Sequence, residues 1–119
     1  MSEFQSTLDV KLLPESEKVQ WLLLNPLRYK SEVMNCIIVV PTGFITDFVS
    51  FEPLKNVGQR AAVVHDYLYS CSDVDRELAD KVLREALECT GVDKELAEAM
   101  FTAVRLFGGG HKENLYTFY

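Results

Sequence analysis

The chain has 119 residues, 48% of them hydrophobic and 25% charged, which suffices for one modest core and excludes disorder as its default state. Its net charge of −6 argues against sequence-independent nucleic-acid binding, which needs clustered Lys and Arg to displace counterions. Three cysteines, Cys36, Cys71 and Cys89, make an odd number without a CxxC pair, which fits a reducing compartment better than a disulfide scaffold or a zinc knot.

Residues 1 to about 50 are rich in β-branched and aromatic residues, with Pro and Gly as punctuation. "LDVKLLP" alternates in part, "VQWLLL" and "LRYKSEV" flank the turn-forming "NP", and "NCIIVVPTGFITDF" carries two short apolar runs around "PTG". These predict short strands of one antiparallel sheet over residues 5 to 50. From Gln59 the apolar period becomes 3.6, and a first helix is expected over 59–71. Ser72 and Asp75 have capping-box spacing, so a second helix is expected over 73–89. Val74, Leu78, Val82 and Ala86 recur every four residues along it, and Ala79, Leu83 and Leu87 widen the stripe. Gly91 is a natural stop, and Asp93 can cap a third helix over 93–107 with Leu96, Met100, Ala103, Val104 and Phe107 on its apolar face. "GGG" at 108–110 ends it, leaving the aromatic tail "NLYTFY".

Strands first and helices after predict an α+β fold, a small antiparallel sheet packed against three helices. The expected organisation is a single domain over 1–119, with a sheet region at 1–58, a three-helix region at 59–110 and a tail at 111–119. "WLLL" and "CIIVV" are too short to cross a bilayer, and "MSEFQSTLDV" lacks the basic start and apolar core of a signal peptide. No membrane insertion is expected, and synthesis in a cytoplasm is the simplest reading.

The segment "RAAVVHDYLY", residues 60–69, places His65 and Asp66 side by side in the most apolar helical stretch. Val64, Leu68 and Cys71 define one side of that helix, while Ala62, His65 and Tyr69 lie roughly opposite. With both sides apolar or aromatic, the helix is expected to be central and His65 to face inward. A buried imidazole needs a partner, and a carboxylate would fix its tautomer. Asp47 follows a strand, Asp66 is adjacent, Asp75 falls within the second helix's apolar arc and Asp80 at its edge, so four carboxylates could converge on one histidine. Simpler roles stand beside these. His65 and Asp66 can be a structural pair locking helix to sheet, and Asp75 a capping-box carboxylate. Asp80, four residues from both Arg76 and Arg84, can belong to an exposed salt-bridge ladder. Arg105 can be solvated beside Glu98 and Thr102, His111 can belong to a mobile tail, and the cysteines can be small core hydrophobes.

Taken together, "VPTGFITDFVSF", "RAAVVHDYLY", "DVDRELADKVLREAL" and "MFTAVRLFGGG" resemble, in that order, a family of small phage and prophage proteins of unknown function. The resemblance covers about residues 36 to 110. It maps onto Gly43, Thr46, Asp47 and Ser50, then His65, Asp66 and Tyr69, then Arg76 and Asp80, and finally Arg105 and Gly109. Two departures are visible: Pro53 is displaced in "DFVSFEP", and His111 and tyrosines stand where relatives carry a tryptophan after the glycines. The resemblance implies a phage-encoded protein, made in the host cytoplasm and a candidate for the virion, and supplies no reaction. "HDYLY" is also similar to the His-Asp segment of secreted phospholipases A2, but the calcium loop and disulfide framework those enzymes need are absent.

Two functions fit. One is a hydrolase in which His65 is general base or metal ligand, with Asp47, Asp66 or Asp80 orienting it or, as Asp47 and Asp80 could, sharing one divalent metal ion with it. Ser50, Tyr69, Arg76 and Arg105 are its supporting residues, although no nucleophile-elbow pattern surrounds Ser50. The other is a non-enzymatic virion, tail-associated, assembly or host-interaction protein whose His-Asp-Arg set is a buried structural network, with the tail as contact arm toward a phage or host protein.

Overall fold

The computed structural model describes residues 1–14, 20–46 and 58–107. Six strands come first, β1 (Glu3–Phe4), β2 (Val10–Leu12), β3 (Trp21–Leu23), β4 (Leu27–Ser31), β5 (Cys36–Val40) and β6 (Ile45–Thr46). Three helices follow, α1 (Gln59–Ser70), α2 (Arg76–Cys89) and α3 (Lys94–Phe107). The fold is α+β, as the sequence predicts. The strands form two three-stranded antiparallel sheets rather than one, in the orders β1-β4-β5 and β2-β3-β6.

β4 and β5 form the hairpin that carries the core. Along "LRYKS" buried and exposed residues alternate strictly, so Leu27, Tyr29 and Ser31 face inward while Arg28 and Lys30 face out. The register sets Tyr29 opposite Ile38 and Leu27 opposite Val40, and all four are buried. Asn35 closes the connecting turn at φ 53°, a left-handed position that Asn tolerates better than most residues.

α1 lies where a helix apolar on both sides must lie. Ala61, Ala62, Val63, Val64, Leu68 and Tyr69 are buried, and the helix touches β4 and β5 as well as α2. Ala79, Val82, Leu83, Ala86 and Leu87 of α2 complete the core with Val92, Ala97 and Met100.

Two ends of α2 show how far local signals carry. At its C-terminus Gly91 adopts φ 91°, its N–H bonds the Glu88 carbonyl at 3.1 Å, and the Val92 N–H bonds the Leu87 carbonyl at 3.0 Å. That is a Schellman closure, sealed by the buried side chains of Leu87 and Val92. The N-terminus differs from the expected capping box. The helix starts at Arg76 rather than 73, with Asp75 in the N-cap place, extended, and making no side-chain capping bond. A turn closed by the Val74 N–H on the Cys71 carbonyl at 3.2 Å occupies the residues between, so Ser72 stands outside the helix. The cysteines are also not core residues: Cys36 and Cys89 are exposed and Cys71 half-buried. Among the described residues no helix is long and apolar enough to cross a membrane. His111 and the tail expected to be a contact arm lie outside the described residues.

Candidate functional site

Asp80 is the centre of the polar interior. It sits in the second turn of α2 and is 0% exposed. An ionised carboxylate is expensive to bury unless every lone pair finds a donor, and here donors arrive from all three helices. From α1, His65 Nε2 lies 2.8 Å from Oδ1 and the Tyr69 hydroxyl donates to the same oxygen at 2.5 Å. From α3, Arg105 donates to Oδ2 at 3.0 Å, and Arg76 of α2 stands 3.7 Å from Oδ2.

Helical spacing produces this convergence. His65 and Tyr69 are four apart on α1, so their rings meet on one face, centroids 4.3 Å apart and planes tilted by 47°. Arg76 and Asp80 are four apart on α2 in the same way. Arg76 also donates to the carbonyls of Val104 at 3.2 Å and Arg105 at 3.4 Å, near the C-terminus of α3, where a cation is favoured by the helix dipole.

Electrostatics agree with the geometry. Burial alone would push the Asp80 carboxyl up, but hydrogen bonds from His65, Tyr69 and Arg105 outweigh it and hold the group below its ordinary value of 3.8. Burial first, and then the hydrogen bond to Asp80 and its charge, raise the Tyr69 phenol well above its ordinary value of 10.0. Asp80 is therefore an acceptor and Tyr69 a donor at neutral pH. Facing an ionised carboxylate, a neutral His65 must carry its proton on Nε2, which leaves the lone pair on Nδ1. Among the described residues Nδ1 makes no hydrogen bond, and the side chain is 14% exposed.

The residues singled out in the sequence thus divide. His65, Tyr69, Arg76, Asp80 and Arg105 are brought together; Asp66, half-buried on α1, is not among the groups that bond Asp80. Asp47 and Ser50 lie outside the described residues. Two simpler expectations are overturned. Asp80 is not an exposed ladder residue, because Arg84 points away to Glu98 at 3.1 Å and lies over the Phe101 ring. Arg105 is not merely solvated, since it is bound to Asp80. As a metal site, the Asp80 end is already supplied with cations, two guanidinium groups at Oδ2. Among the described residues no group of three or more His, Cys, Asp or Glu side chains could hold a metal ion.

A second carboxylate, which no motif in the sequence marks, ties the hairpin to α2. Glu85 accepts hydrogen bonds from the Tyr29 hydroxyl and the Ser31 hydroxyl, each at 2.8 Å, and from the backbone N–H groups of Glu32 at 3.1 Å and Val33 at 3.0 Å. It pins the β4–β5 turn to α2. Burial would raise its carboxyl, but hydrogen bonds from Ser2, Ser31, Tyr29 and the Val33 N–H lower it below its ordinary 4.5. Its spacing of three from Val82, on the edge of the apolar stripe, was the available signal. Beside it an open cleft of about 480 Å³ is lined by Ser2, Val33, Lys81, Arg84 and Glu88, among others.

Both carboxylates titrate lower in the folded protein than in the unfolded chain. The stability they confer is complete above their ordinary values of 3.8 and 4.5 and is lost as pH falls through the lower folded values. Unfolding free energy should therefore decline from about pH 4.5 downward and continue to decline below 3.8, measured by chemical denaturation at each pH. In Asp80→Asn and Glu85→Gln that acid limb should be shallower.

A family model described as "Protein of unknown function (DUF1353)" matches residues 21–104, from β3 to the last turn of α3. The chain belongs to that family. The match contains every member of the Asp80 and Glu85 clusters except Ser2 and Arg105, and Arg105 follows it directly. No curated protein and no solved structure matches the chain.

Proposed function

We propose that this is a phage- or prophage-encoded protein in which His65 acts as the general base of a hydrolytic site, held and oriented by Asp80. One observation carries the reading: Asp80 takes the Nε2 end of the imidazole, and the Nδ1 end makes no hydrogen bond among the described residues. A base needs a fixed ring, a defined tautomer and a lone pair directed away from its anchor. Tyr69 and Arg105 position Asp80, and Arg76 fixes the end of α3 that carries Arg105. Asp47 and Ser50, a few residues beyond β6, are the candidates to meet a substrate or, with His65, a divalent ion.

A second reading has its own observation. Asp80 is fully buried and joins α1, α2 and α3, which is what a purely structural network in a virion, assembly or host-interaction protein would do.

His65→Gln separates them, because the glutamine amide can still donate to Asp80 but offers no titrating nitrogen. On the hydrolase reading the variant melts close to wild type and hydrolysis of p-nitrophenyl acetate is lost. On the structural reading it loses about 1–3 kcal/mol of stability and hydrolysis does not change. Melting of the wild type and of His65→Gln with and without Mg²⁺, Ca²⁺, Mn²⁺ and Zn²⁺ tests the divalent ion. No shift in the wild type removes it from the reading.

A further inference from the structure

Edges of β-sheets carry unpaired backbone donors and acceptors, and proteins guard them with short strands, charges, Pro or bulges. Among the described residues three edges follow that rule. β1 has two residues, one of them Glu3; β2 has three with Lys11 at its centre; β6 has two. β5 does not. It is a five-residue edge strand, Cys-Ile-Ile-Val-Val, with no charge, no Pro and no Gly, and among the described residues it pairs on one side only, with β4.

Its outward face is equally unguarded. Ile37 is 43% exposed and Val39 38% exposed, while Ile38 and Val40 are buried in the core. The strand is thus half a sandwich: one face satisfied, the other apolar, and one backbone edge open among the described residues.

We propose that β5 is a self-association edge, pairing antiparallel with β5 of a second copy of this chain to make a continuous six-stranded sheet. The inference goes beyond the reading of His65 and does not depend on it.

A second copy fits this edge in two respects. A two-fold axis through Ile38 sets Ile37 beside Val39 of the other copy, twice, so each exposed apolar side chain finds an apolar neighbour. It also sets Cys36 beside Val40, and no polar side chain is trapped. Charge favours edge pairing over stacking of the same faces. Arg28 lies opposite Val39, and Lys30 opposite Ile37, on the outward face of β4. Stacked faces would press these cations against their own copies. Edge pairing keeps the two cationic rows three strand spacings apart, about 14 Å, beyond the screening length of about 8 Å at physiological ionic strength. The contact is small, so the dimer is expected to be concentration-dependent.

Sedimentation velocity on the full chain, from low to high micromolar concentration, tests this together with amide hydrogen exchange. The expected result is a monomer–dimer equilibrium in which alternate amides of Cys36–Val40 gain protection as dimer forms. The double variant Ile37→Glu with Val39→Glu sets like charges across the new ladder twice, while within each hairpin the new carboxylates face Lys30 and Arg28, and it should weaken association by at least about tenfold, with the melting temperature of the monomer kept. Should that variant fold poorly, Ile37→Thr with Val39→Thr removes the apolar contact while keeping β-branched residues, and should also weaken the dimer. A wild type that stays monomeric throughout, a dimer without new protection in β5, or a dimer that survives these substitutions overturns the proposal.

Discussion

Asp80→Asn should be the most damaging isosteric substitution in the polar interior, costing about 3 kcal/mol and about 12 °C in melting temperature. The reason is a count of donors. The carboxylate receives His65 and Tyr69 on one oxygen and Arg105, with Arg76 behind it, on the other. An amide has one acceptor oxygen: turned toward Arg105 its NH₂ group faces a guanidinium donor, and turned the other way it is accepted only if His65 changes tautomer and the Tyr69 proton gives up its acceptor, while both guanidinium groups lose the charge they balance. Arg76 and Arg105 are 25% and 30% exposed and can recover water, which keeps the cost at the lower end for a broken buried pair. Tyr69→Phe provides the scale. It removes one donor and leaves the charge balance intact, so it should cost about 1 kcal/mol. Thermal and denaturant unfolding of the two variants checks the ratio, and near-equal losses would show that charge at Asp80 is not what the cluster stabilises.

The elements that could be read in the sequence are those whose signal is local. α1 was placed by apolar residues on both its faces, and its burial against strands and α2 follows from that. The end of α2 was placed by Gly91, whose left-handed backbone is a local need. The strand pairing was not legible, because β1 pairs with β4 and β3 with β6 across long stretches of chain, and no periodicity encodes which strand meets which. β1, only two residues long, carries no period at all. The candidate site was half legible for the same reason. His65 with Tyr69, and Arg76 with Asp80, are i,i+4 pairs that a helical wheel shows. Arg76 and Arg84 stand at equal spacing from Asp80, and only the path of α3 decides that Arg76 faces Asp80 while Arg84 meets Glu98. Arg105 is the clearest case. On its own helix it shares a polar face with Glu98, but α3 crosses α2 so that its guanidinium reaches into the cluster.

Glu85→Ala should loosen the other half of the molecule, by about 2–3 kcal/mol. Glu85 is the link between α2 and the β4–β5 turn, and four donors from β4 and that turn end on it. Two of them, the N–H groups of Glu32 and Val33, lie in an exposed turn and can turn to water. Tyr29 and Ser31 cannot, because both residues are buried, and each hydroxyl left without its acceptor bears a desolvation cost. Glu85→Gln should cost nearly as much despite its shape. Its oxygen can serve the two hydroxyls, but its NH₂ group then meets the two backbone donors, and in the reverse orientation the NH₂ group donates to the hydroxyl oxygens and leaves their protons without an acceptor. Tyr29→Phe removes one partner and its need together, so the Tyr29–Glu85 double-mutant cycle isolates their coupling. Burial above all, with Glu85 as the next cause, holds the Tyr29 phenol far above its ordinary value of 10.0. Its ionisation should therefore lag in an alkaline titration followed by phenolate absorbance, appearing only with unfolding. In Glu85→Ala the hydrogen bond and charge of that carboxylate are gone, and the phenol should ionise at lower pH. Amide exchange at Glu32–Asn35 should rise in the same variant, because the turn loses its anchor on α2 while the Leu27–Val40 and Tyr29–Ile38 pairs that hold the hairpin remain.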